Sequence, residues 1–282
     1  MLAYIAQKFP ELTNISPLDQ GGFKYVLSVS HPTDGENVLK IIDPSSAPER
    51  IDREILASQV VQSPRVPRLL ETGTVDLPFG ECVWIREQKI SGTSLRTHLS
   101  LNGPLAPSGT LQLTQQALEA LADAEKVKIV HRDVKPENIM FDQEGNFWLL
   151  DFGIARHLAM PALTQTGAAV QCTPGYAPPE QFQNLRDEID ARSDLFALGV
   201  TIYEAATGKH PFRDGATSPP EIFHRTVIQA VPPLVLPLQQ SESFRDLIGA
   251  LVGKRRDLRP RTVAEALEWV NEIIAAESLG EH

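Results

Sequence analysis

Residues 131–138 have the sequence HRDVKPEN, and five of these positions (His, Arg, Asp, Lys and Asn) belong to a fixed pattern. Thirteen residues after Asn138, the sequence continues with DFG at 151–153. A chance match of five fixed positions in a chain of 282 residues occurs on the order of once in ten thousand cases. A single loop aspartate or asparagine usually caps a turn, but the whole set at this spacing predicts a functional site.

Outward from this site, the chain changes from a strand pattern to a helical pattern. The first ninety residues favour strands at 24–29, 37–42 and 82–86, with one stretch of helical spacing at 46–61. The remainder favours a hairpin at 141–150 and helices at 111–127, 195–206 and 263–276. Several prolines between Pro211 and Pro237 indicate irregular connections there. We expect two lobes with a ligand cleft between them.

Composition limits the classes of protein to which this chain can belong. Hydrophobic residues make up 42% of it, enough for a sizeable core, and the formal net charge of −10 leaves no basic footprint for nucleic acid. Two cysteines, Cys82 and Cys172, are too few for a disulfide scaffold or a four-cysteine zinc site. The sequence has no apolar run of membrane-spanning length and no secretory signal pattern. We expect a cytoplasmic domain without a membrane segment or a nucleic-acid partner.

These segments together resemble the eukaryotic-like (Hanks-type) protein kinases of the Ser/Thr branch, from about Leu18 to Arg261. The resemblance implies a bilobal α+β fold, with a small β-rich N-lobe at 1–90, a larger α-helical C-lobe at 91–282 and a nucleotide cleft between them. It implies a non-specific serine/threonine protein kinase, a phosphotransferase that uses ATP and Mg²⁺, with Mn²⁺ as an alternative metal. Its partners would be ATP and a protein substrate whose Ser or Thr hydroxyls receive the γ-phosphate. The sequence gives no indication of an oligomeric state.

The resemblance assigns the reacting groups to the two quoted segments. Asp133 would accept or orient the proton of the substrate hydroxyl, and Lys135 would reach the γ-phosphate, as lysine does there in Ser/Thr kinases. Asn138 and Asp151 would hold the metal, because Mg²⁺ prefers oxygen ligands and bridges phosphate oxygens. In such a reaction the protein mainly positions the phosphates and neutralises their charge.

Upstream, Lys40 resembles the strand lysine that pairs with the α- and β-phosphates in this family. A glutamate of the following helix should hold this catalytic lysine, and we favour Glu54, with Glu49 and Asp52 as alternative partners. The spacing of 14 residues between Lys40 and Glu54 is shorter than the family usually shows. A shortened connection before the helix would explain it.

The glycine-rich loop of the family is incomplete in this sequence. Its three glycines would fall at Asp19, Gly21 and Lys24, and only Gly21 matches, with Gly22 beside it. Asp19 would bring a negative charge near a polyanion, which Lys24 could partly offset. Because glycines let backbone N–H groups approach phosphates, we interpret Gly21, Gly22 and Val26 as ATP-binding residues. A Gly-Gly pair alone is also typical of a hairpin turn.

Two alignments assign different residues to the position that closes the back of the adenine pocket. Counting from Gly92 puts Glu87 in this position, with 88–90 as the linker between the lobes. Taking Glu87 as the first linker residue puts Arg86 there instead. Either charged residue is unusual in a largely apolar pocket, and both alternatives stay open at this point.

Three downstream residues resemble structural positions of the family. Glu180, at the end of YAPPE, resembles the glutamate that closes the activation region, and Arg259 resembles its buried ion-pair partner. Asp194 resembles the residue that braces the catalytic loop. The simpler alternative is that Asp194 and Ser193 are N-caps of the helix at 195–206.

Three threonines and no serine lie in the activation loop between Asp151 and Glu180. Thr173 resembles the threonine that contacts the catalytic aspartate. Thr164 or Thr166 is a candidate autophosphorylation site, with Arg132 as a partner for the new phosphate. A plain solvated loop is the alternative.

Two other classes of function fit part of the sequence. A small-molecule kinase of the same superfamily would usually lack Lys135, Thr173 and the Pro-Glu segment. A pseudokinase or scaffold would fit the charged residues of the glycine loop and the hinge. A thermal shift with MgATP would separate a scaffold from a nucleotide-binding enzyme, because a ligand that binds only the native state raises stability.

Overall fold

The structure, a computed structural model, describes residues 2–21, 24–42, 56–78, 80–152, 156–157, 173–238 and 241–279, and only the backbone at 19–21, 156–157 and 186. The chain begins with a short helix, α1 (Leu2–Lys8), and continues into an antiparallel sheet. The five strands of this sheet are β1 (Thr13–Gly21), β2 (Lys24–His31), β3 (Gly35–Ile42), β4 (Leu69–Leu77) and β5 (Gly80–Gln88). Their order in space is β1-β2-β3-β5-β4.

Alternating side chains give this sheet two different faces. Leu39 and Ile41 of β3 share one face, where they pack with Ile5 and Phe9 in an apolar cluster. Lys40, between them in the sequence, therefore points to the opposite face, toward the C-terminal part of the chain. The sequence pattern did not predict α1, because seven residues are too few to show a clear helical period.

The C-terminal part of the chain is mainly helical. Its helices are α2 (Leu95–Asn102), α3 (Pro107–Lys126), α4 (Pro179–Phe182), α5 (Ala191–Thr207), α6 (Pro219–Ile228), α7 (Ser241–Leu251) and α8 (Val263–Leu279). Its short strands are β6 (Gly92–Ser94), β7 (Ile129–Val130), β8 (Ile139–Asp142), β9 (Phe147–Leu149) and β10 (Arg156–His157). β6, β8 and β9 form one small sheet, and β7 pairs with β10. Within the described ranges, no helix combines the length and apolar character needed to cross a bilayer.

Helix α5 lies in the centre of the main core and is buried on almost all sides, as the apolar run at 195–206 predicts. A Cβ atom at Gly199 would lie 2.7 Å from Cγ1 of Val252 and 2.9 Å from Cβ of Leu251. The backbone of α5 therefore approaches the end of α7 more closely than any residue with a side chain would allow.

The start of α5 corrects one alternative from the sequence. The N-cap is Asp190, whose side chain accepts a hydrogen bond from the Arg192 N–H at 2.9 Å. Asp194 and Ser193 lie inside the first turn, so the interpretation of these two residues as N-caps is wrong. The helix begins before its first large apolar residue, which is why the apolar pattern placed the start too late.

The proline-rich segment 211–237 contains a helix that the sequence pattern missed. Helix α6 begins with Pro219 and Pro220, directly after Ser218, whose side chain accepts from the Glu221 N–H. Proline is tolerated in the first turn because its missing N–H would have no helical partner there. The irregular backbone is confined to the residues on either side of α6.

The predicted helix at 46–61 is helical at 56–60, and 43–55 lies outside the described residues. Ala57 and Val61 belong to the main core, together with residues of α3 and α5. A β-rich N-terminal part followed by a larger helical part agrees with the two-lobed α+β expectation.

Candidate active site

Asp194 holds the backbone of the HRD segment from beneath. Its buried carboxylate accepts the N–H groups of His131 and Arg132 at 2.7 Å each. Arg132 has a φ of 70°, a left-handed conformation that costs roughly 1–3 kcal/mol and persists only where the surroundings enforce it. Burial raises the pKa of Asp194 to about 6, against the lowering effect of His131 and the two N–H groups. The loop geometry therefore depends on a residue of the helical core.

His131 connects this loop with the segment that contains Asp151. Its Nδ1 accepts the Asp133 N–H at 3.2 Å, and its Nε2 lies 2.8 Å from the carbonyl oxygen of Leu150. These partners assign the ring proton to Nε2, which donates to Leu150. The imidazole also packs on Phe152, with 4.5 Å between the ring centroids. The buried ring therefore fixes the two segments relative to each other.

Three side chains converge on the carboxylate of Asp133. Its Oδ1 accepts the Thr173 hydroxyl at 2.6 Å, and its Oδ2 accepts from Lys135 Nζ at 2.6 Å and from Asn138 Nδ2 at 3.0 Å. Lys135 Nζ also donates to Thr173 Oγ1 at 3.0 Å, and Asn138 Nδ2 to the Asp133 carbonyl at 2.8 Å. The Asp133 side chain keeps 18% of its surface exposed. A carboxylate oriented in this way can accept a proton from a hydroxyl group.

Asp151 lies across the cleft from two lysines of the N-terminal sheet. Its Oδ1 is 2.9 Å from Nζ of Lys24 and 4.0 Å from Nζ of Lys40. Burial favours the neutral acid, but the charges of Lys24 and Lys40 outweigh it and hold the pKa of Asp151 well below its usual range. The two lysines therefore favour the carboxylate form of Asp151. Its φ of 61° is a second left-handed position in this site.

The register of the sheet decides which residue of β5 faces the cleft. Lys40 pairs with Ile85, so Glu87, two residues further on, shares the face of Lys40. The Oε1 atom of Glu87 lies 2.7 Å from Nζ of Lys40, and both residues are buried. Arg86 pairs with Leu39 on the opposite face. Of the two alignments of the hinge, the structure favours the one that counts from Gly92.

Arg86 is instead part of a polar cluster on the outer side of the sheet. It donates to Asp34 at 2.5 Å, to the Asn37 side-chain oxygen at 2.7 Å and to Glu71 at 3.0 Å. These partners accept hydrogen bonds from the guanidinium, whose burial without partners would cost free energy. Arg86 therefore serves the packing of strands β3, β4 and β5.

Asn138 and Asp151 offer a donor set that fits a magnesium ion. The side-chain nitrogen of Asn138 donates hydrogen bonds to the carbonyl and to the carboxylate of Asp133, which leaves the amide oxygen of Asn138 to bind a metal. The Asn138 carbonyl accepts the Leu150 N–H at 2.8 Å, so Asn138 lies beside the residue that precedes Asp151. One amide oxygen and one carboxylate are the hard ligands that Mg²⁺ prefers.

Glu180 and Arg259 form a bidentate ion pair in the helical core, away from the reacting groups. The two nitrogen–oxygen distances are 2.7 and 3.0 Å, and the side chains are 4% and 0% exposed. The Ser193 hydroxyl donates to the same carboxylate at 2.9 Å. The pair links α4 to the turn after α7.

The structure brings most of the predicted site residues to the cleft, but not all of them are described. Val26 pairs with Lys40 in the sheet and shares its face, and the backbone of Gly21 pairs with Lys24. The remaining predicted residues lie outside the described residues, namely Gly22, Glu54, Thr164 and Thr166. In the part that is described, the carboxylate nearest to Lys40 is that of Glu87 at 2.7 Å, and that of Asp151 lies at 4.0 Å.

Sequence reasoning missed an ion cluster around Arg96 of α2. Arg96 donates to Glu137 at 2.9 Å, to Glu204 at 2.7 Å and to the Tyr176 hydroxyl at 2.6 Å, and that hydroxyl donates to Glu204. Burial and the charge of Glu204 raise the pKa of Tyr176. Glu137 precedes the Asn138 of the site, so the cluster ties α2 and α5 to the catalytic loop. Arg96 and Glu204 are 108 residues apart, and no local pattern connects them.

Comparison with known proteins identifies the family. The model of the protein kinase domain matches residues 12–270. The chain is 33% identical to serine/threonine-protein kinase PknB of Mycolicibacterium smegmatis over 219 residues, which cover 77% of this chain and 34% of that protein. It is 28% identical to the probable serine/threonine-protein kinase pknA2 of Bifidobacterium longum over 228 residues, 80% of this chain and 29% of that protein.

The chain therefore belongs to the protein kinase family. The expected bilobal kinase fold and the Hanks-type Ser/Thr branch are confirmed, and the match extends beyond the limits of about Leu18 and Arg261 that the sequence suggested. The chain spans about a third of the length of the curated relatives that it matches.

Proposed function

We propose that this kinase domain transfers the γ-phosphate of ATP to Ser or Thr hydroxyls of a protein substrate, with Mg²⁺, or alternatively Mn²⁺, as the metal. The observation that carries the proposal is the convergence of Lys135, Asn138 and Thr173 on the carboxylate of Asp133. Family membership and the names of the curated relatives support the Ser/Thr class. The two lobes, at 1–90 and 91–282, would form one catalytic domain.

In the proposed reaction, the substrate hydroxyl oxygen attacks the γ-phosphorus, and the bond from that phosphorus to the bridging oxygen of ADP breaks. Asp133 takes the proton of the hydroxyl, so the products are ADP, a phosphoester and a protonated Asp133. Lys135 neutralises charge on the transferred group. The hydrogen bonds from Thr173 and Asn138 keep the carboxylate in the orientation that this proton transfer needs.

The remaining cleft residues would bind the nucleotide and its metal. Asn138 and Asp151 are the proposed metal ligands, and the bound metal would supply positive charge to the phosphate oxygens. Lys40 would pair with the α- and β-phosphates. Gly21, Gly22 and Val26 would cover the nucleotide from the N-lobe.

Lys40 requires an anionic partner that holds it toward the phosphates. Glu54 stays our proposal for the helix that follows β3. The contact of 2.7 Å between Lys40 and Glu87 supports a second partner on the sheet itself.

Autophosphorylation of the activation loop is a further part of the proposal. Thr164 or Thr166 would receive the phosphate, and Arg132, next to Asp133, would add charge-assisted hydrogen bonds that order the loop. Intact-mass analysis after incubation with MgATP tests this, and a mass without added phosphate at both threonines would contradict it.

We also propose that the domain works in the cytoplasm, where ATP is available as its co-substrate. ATP and a protein substrate are the proposed partners. Cys82 is buried and is not part of a disulfide, which is compatible with a reducing compartment.

Incubation with labelled ATP, Mg²⁺ and a generic basic protein tests the central proposal. Asp133→Asn should lower turnover by roughly 10²–10⁴, because it removes a positioned base, and it should still bind nucleotide. Asp257→Asn, which changes an exposed carboxylate on the far side of the C-lobe, should behave like the wild type. A full rate with Asp133→Asn would contradict the assigned role.

A further inference from the structure

Lys24 crosses the cleft and contacts the proposed metal ligand. It is the first residue of β2, and its Nζ lies 2.9 Å from Oδ1 of Asp151, which is 127 residues away in the sequence. The two side chains keep 21% and 38% of their surface exposed, so the pair lies at an accessible part of the cleft. The contact joins the turn between β1 and β2 directly to the C-terminal lobe.

The pairing of β2 with β3 explains why two lysines meet at this point. Lys24 lies opposite Ile42, and Val26 lies opposite Lys40. Residues opposite each other, or two apart on one strand, share a face of the sheet, so Lys24 and Lys40 both project into the cleft. Their ammonium groups approach the same oxygen of Asp151, at 2.9 and 4.0 Å. Two ammonium groups close to the same oxygen atom repel each other, so they require nearby anions.

Among the described residues, each of the two lysines has a carboxylate close to its ammonium group. Glu87 neutralises Lys40 at 2.7 Å, and Asp151 neutralises Lys24. A divalent metal on Asp151 would leave Lys24 beside two further positive charges, because both cations use the same carboxylate. A triphosphate bound to that metal would bring negative charge within reach of the long, flexible lysine side chain.

We propose that Lys24 is a second phosphate-binding lysine of the nucleotide cleft, which exchanges its contact with Asp151 for one with the triphosphate when MgATP binds. The inference rests on the proposed nucleotide site and adds a ligand to it. The backbone of Gly21, which the proposed function assigns to the nucleotide, would then share the binding of phosphates with a charged side chain. The exchange of partners also couples the entry of the metal to the entry of the nucleotide.

Binding of ATP and of adenosine to Lys24→Gln separates phosphate recognition from the shape of the pocket. Calorimetric titration of Lys24→Gln with MgATP should show an affinity about tenfold or more below that of the wild type, because a charge-assisted contact is lost. Adenosine, which has no phosphate, should bind both proteins equally. Lys24→Arg keeps the charge and should retain most of the affinity for ATP.

Lys126→Gln is the matched control. Lys126 is 74% exposed at the end of α3 and pairs with Asp123, so the variant removes one positive charge from the protein surface. It should bind ATP like the wild type, which shows that net charge alone does not cause the effect.

An unchanged or higher affinity of Lys24→Gln for ATP would overturn the inference, and so would an equal loss for adenosine, which indicates local unfolding. In both cases ATP binding and phosphotransfer by the wild type would leave the proposed function intact. A wild-type protein that bound no ATP would overturn both.

Discussion

Replacement of Arg259 by methionine should destabilise the helical lobe strongly. All five N–H groups of this fully buried guanidinium have acceptors. Two donate to the carboxylate of Glu180, and the others donate to the carbonyl oxygens of Gly253, Arg192 and Lys254 at 2.7, 2.9 and 3.3 Å. Arg259→Met would leave a buried carboxylate with one remaining side-chain donor, Ser193, and three carbonyl groups without this partner.

The magnitude follows from the burial of both partners. Breaking a buried ion pair from one side costs about 3–5 kcal/mol, because the remaining charge stays without compensation. Glu180 is 4% exposed, so water cannot replace the lost guanidinium. We expect Arg259→Met to lower the free energy of unfolding by an amount in this range.

Urea unfolding followed by circular dichroism measures this loss. Arg255→Met is the control, since Arg255 pairs with Asp257 at the surface with 75% of its side chain exposed, and it should change stability very little. The double variant Glu180→Leu with Arg259→Met should be more stable than Arg259→Met alone, because it removes the orphaned charge. A loss of less than about 1 kcal/mol in Arg259→Met would refute the reasoning.

Three further changes test other parts of the structure. The pKa of Asp194 is about 6 in the folded protein, against an ordinary value of 3.8, so the folded state binds the proton of this carboxyl group more tightly than the unfolded state does. The protonated carboxyl group therefore stabilises the folded protein below about pH 4, and this stabilisation is lost as the pH rises to 6. The difference in unfolding free energy between the wild type and Asp194→Asn should therefore fall by about 2–3 kcal/mol from pH 4 to 6, and a flat difference would contradict the assignment. Glu87→Gln should raise the KM for ATP about tenfold with a smaller effect on kcat, because Lys40 loses the nearest of its carboxylate partners. Glu81→Gln, at an exposed position of the same strand, should change neither constant. Gly199→Ala should cost about 1–3 kcal/mol through overpacking against Leu251 and Val252, whereas Gly249→Ala, with open space around its Cβ in helix α7, should stabilise by roughly 0.5–1 kcal/mol; thermal unfolding of both variants checks the opposite signs.

The sequence pattern predicted the elements that have a clear local period. The strands at 24–29, 37–42 and 82–86 all lie within observed strands, and the helix at 195–206 lies within α5. It did not identify the helices α1, α2, α6 and α7 or the strands β1 and β4. For α6, proline suggested a break where it begins a helix. These failures occur where a local signal is weak or has two meanings.

The residues at the centre of the site could be selected from the sequence because they are close together in it. Asp133, Lys135 and Asn138 lie within six positions, and their side chains converge on one another through a single loop and a 3-10 turn. In such a motif, the short spacing between the residues already limits how their side chains can be arranged. The family match at 12–270 agrees with this part of the reasoning.

The sequence by itself determined the class of protein, the β-rich and helical parts and the chemical groups of the catalytic loop, because these depend on local spacing. Only the tertiary structure decided that Glu87 rather than Arg86 faces Lys40, that Lys24 reaches Asp151 and that Arg96 joins Glu204. The physical reason is that strand register and the packing of distant segments choose the face on which each side chain lies, and a shift of one residue would reverse that choice.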